Sequence, residues 1–142
     1  MDCLFCRMIA GDVPALRVYE DDQIIAFLDI FPVQPGHTLV VPKAHHETCM
    51  ELPDELMGDW MCTVKRVAQG LEESLSCDGV NLLQNNRSAA GQVIPHVHMH
   101  VIPRWKGDGF THWPSKELPR GELEAVADRV RLAIQSLAST IR

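Results

Sequence analysis

Residues 95–104 read Pro-His-Val-His-Met-His-Val-Ile-Pro-Arg, three histidines at strict two-residue spacing with apolar residues between them. Successive side chains of an extended chain point to opposite sides, so this spacing predicts a strand with His96, His98 and His100 in one row. The opposite row, Val97, Met99 and Val101, is apolar and suits a core. Pro95 and Pro103 are read as the limits of that strand.

A neutral imidazole is still basic near pH 7, and its bare nitrogen can attack phosphorus, take a proton or bind a metal. The plainer alternative is a solvent-facing row on an edge strand. The stretch just upstream, Asn85-Asn86-Arg87-Ser88-Ala89-Ala90-Gly91-Gln92, favours a site. Amide side chains and free backbone N–H groups can hold phosphate oxygens without adding charge.

The rest of the chain supplies four further strands by alternation or short apolar runs: Leu16–Glu20, Gln23–Asp29, Thr38–Val41 and Val80–Gln84. The first two form a hairpin across Asp21-Asp22. A long helix is predicted from Pro53 to about Ser76, with Leu56, Trp60, Val64, Val67 or Ala68, Leu71 and Leu75 on one face and Pro53 at its first position. A second amphipathic helix is placed at about 117–141, its stripe of Leu123, Val126, Val130, Ile134, Leu137 and Ile141 serving core or dimer packing. A short helical turn ends at Met8-Ile9-Ala10 before Gly11. Hairpin-scale connections and one long helix between the third and fourth strands predict an α+β fold. Its five-stranded sheet should be mostly antiparallel, with helices packed on one side. With no repeat or linker, residues 1–142 read as a single domain, its core at 3–114.

The formal net charge of −6 argues against nucleic acid or an anionic membrane as the partner. Local donors must therefore hold any phosphate-bearing substrate. No apolar run approaches the roughly 20 residues of a membrane span, and the start lacks the layout of a signal peptide. Five cysteines without a disulfide framework fit a reducing cytoplasm.

Three smaller signals have competing readings. Cys3-Leu4-Phe5-Cys6 could give two thiolates to a tetrahedral zinc, act as a redox pair, or be two buried small residues. Asp29, at a strand end, could bind ribose hydroxyls or simply initiate the turn before Phe31-Pro32. His45-His46 follow the Pro42-Lys43 strand end, where metal ligands and exposed loop histidines both occur.

The run His96-Val97-His98-Met99-His100-Val101-Ile102 resembles the signature of the histidine triad superfamily. Phe5 with Ile9, Val13-Pro14-Ala15, Tyr19-Glu20-Asp21-Asp22, Ala26-Phe27-Leu28-Asp29-Ile30, Pro35-Gly36-His37, Val41-Pro42-Lys43 and Gly91-Gln92 match family positions in order, over roughly residues 3–114. The resemblance implies a nucleotide hydrolase that cleaves at the α-phosphate of a nucleoside phosphoramidate or dinucleoside polyphosphate and releases a nucleoside monophosphate. It casts His98 as the nucleophile, transiently nucleotidylated. His100 and Gln92 become contacts to the α-phosphate or leaving group, Asn85 and Gly91 part of the phosphate loop, and Asp29 the ribose carboxylate. Met8, Phe27, Leu28 and Ile30 become base-pocket walls, and His37 a histidine packed near the triad. It further implies one structural zinc per chain on Cys3, Cys6, His45 and His96, with His46 the competing ligand, and no organic cofactor. A purine nucleotide is the expected substrate and a homodimer the expected assembly. A non-catalytic nucleotide-binding or scaffold protein, a nucleotidyl transferase and an enzyme with a catalytic metal on the histidine row are the alternatives.

Two features divide the family's branches. Val93 stands where many members carry Ser or Thr. Thr111-His112-Trp113-Pro114 resembles the phosphoramidase branch, whereas Ile102-Pro103-Arg104 resembles the dinucleoside polyphosphate branch.

Overall fold

The computed structural model describes residues 2–140. It divides into two compact units, one through Asp108 and one from Gly109 onward. The first carries α1 (Leu4–Ala10), β1 (Arg17–Glu20), β2 (Ile24–Leu28), β3 (Thr38–Pro42), α2 (Asp54–Leu75), β4 (Gly79–Leu83) and β5 (Met99–Arg104), and the second carries α3 (Arg120–Thr140). The five strands form one sheet in the order β1-β2-β3-β5-β4, and every neighbouring pair is antiparallel. The α+β reading and the five-stranded antiparallel sheet hold.

One expectation is corrected: the helices of the first unit do not share a side. Alternation along β2 and β3 sends Ile24, Ala26 and Val40 to a cluster with Trp60, Val64 and Leu71 of α2. Ile25, Phe27, Leu39 and Val41 join Cys3, Phe5 and Met8, so α1 covers the opposite face. This double cover explains why β2 and β3 are almost continuously apolar. The seven-residue α1 was too short to be placed on a face by its periodicity.

The histidine strand is also shorter than read. Its ladder begins at Met99 and runs through Pro103 to Arg104. Upstream, the Val97 N–H donates to the His46 carbonyl at 2.8 Å and the His96 N–H to the Ile94 carbonyl at 2.8 Å, so the chain there is tied to a loop rather than to a neighbouring strand. Neither the histidine row nor the apolar row is open: His96, Val97 and His98 are all buried.

The α2 helix starts one residue later than predicted. Pro53 keeps an extended ψ of 144° as its N-cap, and Asp54 and Glu55 occupy the first turn, where carboxylates complement the helix dipole. Gly36 adopts φ +94°, and a Cβ there would collide with the Leu75 side chain. Glycine is therefore required for the turn that delivers His37. In the second unit, Leu123, Val126, Val130, Ile134 and Leu137 of α3 are exposed. Among the described residues, no helix is long and apolar enough to cross a membrane.

Trp60 is 1% exposed, and its indole N–H donates to the Val40 carbonyl at 2.9 Å, pinning α2 to the centre of the sheet. Trp60→Phe loses that bond and leaves space. It is expected to cost about 2 kcal/mol or more, read as a lower urea midpoint at unchanged slope.

Candidate active site and metal centre

Three segments converge on the α1 face: the N-terminus of α1, the turn after β3 and the approach to β5. Cys3 caps α1, its sulfur accepting the Cys6 N–H at 3.5 Å, which places both thiols at the helix start. His45 and His96 arrive from the other two segments. Sγ of Cys3 lies 3.4 Å from Nδ1 of His96; Sγ of Cys6 lies 3.4 Å from Nδ1 of His45 and 3.6 Å from Nδ1 of His96. The two Nδ1 atoms are 3.2 Å apart, and all four ligand atoms fall within 4.8 Å of one another. Tetrahedral zinc with bonds of about 2.3 Å to sulfur and about 2.05 Å to nitrogen has S···N edges of roughly 3.5 Å and N···N edges of roughly 3.3 Å. The cluster has these dimensions. His46 is not part of it; its side chain lines a separate surface cavity with Lys43 and Glu55.

Backbone carbonyls settle where two of the imidazole protons sit. Nε2 of His96 is 2.7 Å from the Pro42 carbonyl, which can only accept. That nitrogen therefore carries the proton, and Nδ1 presents a lone pair to the cysteine cluster. Nδ1 of His98 is 2.7 Å from the His96 carbonyl, so it is protonated by the same reasoning and Nε2 is left bare. Phe5 and His98 pack nearly perpendicular to each other, with centroids 5.0 Å apart at 86°, and the contact restrains the imidazole plane.

Asp29, His37 and His100 form a second group with the composition of a cation site. Its hydrogen bonding disqualifies it. The Val33 N–H donates to Nδ1 of His37 at 3.0 Å, so neutral His37 carries its proton on Nε2. A protonated nitrogen cannot ligate; it lies 2.9 Å from Nδ1 of His100 and makes a hydrogen bond. Asp29 receives the Phe31 N–H at 2.9 Å, the turn-initiating role, while its other oxygen stands 3.7 Å from His37, too far for a hydrogen bond.

Gln92 is spent on the backbone. Its amide oxygen accepts the Arg87 N–H at 2.7 Å, and its amide nitrogen donates to the carbonyls of Glu47 at 2.6 Å and Ile94 at 3.1 Å. It braces the phosphate-loop candidate instead of presenting a free donor. The Asn85 amide makes a long contact to the Gly91 carbonyl, at 3.5 Å, and the Asn85 carbonyl accepts the Gln84 amide N–H at 3.1 Å. Two braces escaped the sequence reading. Gln84 and Asn86 pair through both amides at 2.8 and 2.9 Å, and Asn86 also accepts the Cys49 N–H at 2.9 Å. The density of Asn and Gln after β4 was the available signal. Arg87 sits at φ 72°, ψ 160°, a region all but reserved for glycine, which marks the loop as strained.

The expected base-pocket walls are split. Met8 and Phe27 lie together on the α1 face. Leu28 points to the other face, lining a cavity of about 290 Å³ with Val18, Val67 and Leu71. Ile30 is 70% exposed.

Burial lowers the pKa of His37, His96 and His98. His100 is pushed down to about 4, first by burial and then by His98 and His37. The row is therefore neutral at pH 7. Burial, reinforced by Cys3, pushes the Cys6 thiol up, so a thiolate in that cluster calls for a cation beside it.

The family model for the HIT domain matches residues 10–107. An Arabidopsis thaliana relative, adenylylsulfatase HINT3, is 40% identical over 87% of this chain and 61% of its own length. The Schizosaccharomyces pombe protein adenosine 5'-monophosphoramidase hnt1 is 36% identical over 95% of this chain and 100% of its own. Among solved structures, a HIT-family protein from Bacillus subtilis superposes with TM-score 0.85 at 40% identity, covering 92% of this chain and 96% of that one. A zinc-bound histidine triad protein from Mycobacterium smegmatis gives TM-score 0.75 at 35% identity, covering 99% and 98%. The match over most of the first unit, together with these relatives, places the chain in the HIT domain family.

Proposed function

We propose that the protein hydrolyses a nucleotide at its α-phosphorus, with a nucleotidyl-His98 intermediate and release of a nucleoside monophosphate. The observation that carries this reading is the bare Nε2 of His98, whose other nitrogen is committed to the His96 carbonyl at 2.7 Å. In the first step that lone pair forms an N–P bond while the bond from phosphorus to the leaving group breaks; the leaving group departs with the electron pair and takes a proton from solvent. In the second, water attacks phosphorus and releases a proton to solvent, the N–P bond breaks and Nε2 recovers its lone pair. His100, whose ring centroid is 5.0 Å from that of His98, faces the same phosphoryl group. The Asn85 amide completes the neutral donor set, and Asp29 offers its second oxygen to a ribose. Gln92 holds this loop in shape.

The named activities of the relatives support an adenosine nucleotide whose leaving group is an amine or sulfate. Val93 is 86% exposed and brings no hydroxyl to that leaving group. Cys3, Cys6, His45 and His96 would hold one zinc, which would brace the fold: four protein ligands leave no position for water. A homodimer is supported by β4, an edge strand of the sheet that exposes Leu82. The unpaired cysteines fit a reducing cytoplasm.

His98→Ala and His98→Asn are expected to lower turnover by about three orders of magnitude or more while nucleotide binding persists. Turnover would be followed on adenosine phosphoramidate, adenylyl sulfate and diadenosine polyphosphates, and the wild-type adduct by mass spectrometry. Wild-type rates in either variant would falsify the nucleophile assignment.

Metal analysis of the purified protein is expected to give one zinc per chain, released by chelator only with unfolding. Cys6→Ser should lower both zinc content and thermal midpoint. Full activity in folded, zinc-free protein that is unchanged in stability would count against a bracing role.

The depressed pKa of His100 makes stability pH-dependent. The unfolded chain takes up this proton near the ordinary 6.5, whereas the fold resists it until about 4. The contribution is complete above that ordinary value and is lost as pH falls from 6.5 toward about 4. Urea midpoints across this window should therefore drop more steeply in the wild type than in His100→Asn; equal slopes would contradict the assignment.

A further inference from the structure

His37 forms no bond to phosphorus in the proposed reaction, yet it is 3% exposed and hydrogen-bonded through both ring nitrogens. A neutral imidazole has one N–H and one lone pair, and which nitrogen holds the proton is set by the partner of the other. Here the chain of partners starts at a group with no choice. The Val33 backbone N–H can only donate, and it points at Nδ1 of His37 over 3.0 Å. The His37 proton is consequently on Nε2, which lies 2.9 Å from Nδ1 of His100. That Nδ1 must accept, and the His100 proton is forced onto Nε2.

His98 receives the opposite instruction. The His96 carbonyl takes its Nδ1 proton, so its Nε2 is bare. His98, just ahead of β5, and His100, within it, thus present unlike Nε2 atoms, a lone pair on His98 and an N–H on His100. The distinction matters beside a phosphoryl group, whose oxygens only accept: an N–H is attracted to them and a lone pair is repelled.

We infer that His37 is a positioning residue that relays the Val33 N–H to His100 and holds His100 as the hydrogen-bond donor next to the nucleophile. The fold secures the relay at its far end. The turn is closed by the His37 N–H on the Gln34 carbonyl at 3.0 Å, and the His37 carbonyl accepts the Asp29 N–H at 2.9 Å. Gly36, at φ +94°, lets the turn pass where Leu75 and Pro103 leave no space for a Cβ.

The catalytic consequence rests on the proposed function; the proton arrangement does not, so the two can fail separately. Nitrogen-15 NMR of the imidazoles in the intact protein reads the arrangement directly. In the wild type, His100 is expected to be protonated on Nε2 and His98 on Nδ1. In His37→Leu no donor faces Nδ1 of His100, so its nitrogen shifts should move toward tautomeric averaging, and kcat should fall about tenfold with KM changed less than about threefold. His37→Gln can turn an amide N–H to the same ring nitrogen and should recover the His100 shifts and most of kcat. Finding the wild-type His100 proton on Nδ1 would overturn the inference even if no variant folds. So would a folded His37→Leu protein with wild-type His100 shifts. If the wild type turns over none of the nucleotides tried but shows the expected shifts, the relay stands and the proposed function falls.

Discussion

Two backbone carbonyls, those of Pro42 and His96, each stand 2.7 Å from an imidazole nitrogen. A carbonyl can only accept, so each dictates a proton position that solution chemistry would leave mixed. From the first follows a lone pair aimed at the cysteine cluster, and from the second a lone pair on the central histidine. Burial reinforces both, because a charged ring would have to be desolvated. The reactive character of the row therefore originates in main-chain geometry. The imidazoles contribute capacity, and the backbone chooses which face of each ring is basic.

The same arrangement answers an electrostatic problem. A chain of net charge −6 repels an anionic ligand at long range. Adding arginines inside the site would offset this but would raise the cost of burying the histidine row between two layers. The buried row instead consists of neutral imidazoles, with the Gln92 amide beside it, and hydrogen bonds within the fold fix their dipoles. Fixed dipoles stabilise developing charge without reorganising, and they do so more strongly where water is scarce. The strain at Arg87 is held by the loop itself: its N–H donates to Oε1 of Gln92, and its carbonyl accepts the Ala90 and Gln92 N–H groups.

The sequence made the strands legible because alternation is a local signal. Ile24 to Leu28 and Thr38 to Pro42 were readable to within a residue or two, as was the long helix through its Trp60, Val64 and Leu71 face. What it could not show was long-range. The side on which α1 packs depends on contacts between Phe5 and strands far along the chain. The late start of β5 depends on where the Val97 N–H goes, and its partner, the His46 carbonyl, has no signature in side-chain identity. Gln92 is the instructive case. Its position beside the row was a fair reason to give it phosphate, but an amide is equally suited to tying backbone to backbone, and three such bonds consume it. Residue type fixes what a group can do; only the fold fixes which of its options is already taken.

His96 joins the two halves of the site. Its ring faces the thiols while its carbonyl holds the proton of His98, so any force that orients the ring also orients the peptide unit carrying that acceptor. The coupling is short: one residue, Val97, separates His96 of the cluster from His98, and it is fully buried with its N–H tied to His46, next to His45. A cation bound there would anchor α1, the turn after β3 and the approach to β5 at one point, and would do so without touching substrate. Held there, it would also stiffen the His96 carbonyl on which the bare nitrogen of His98 depends.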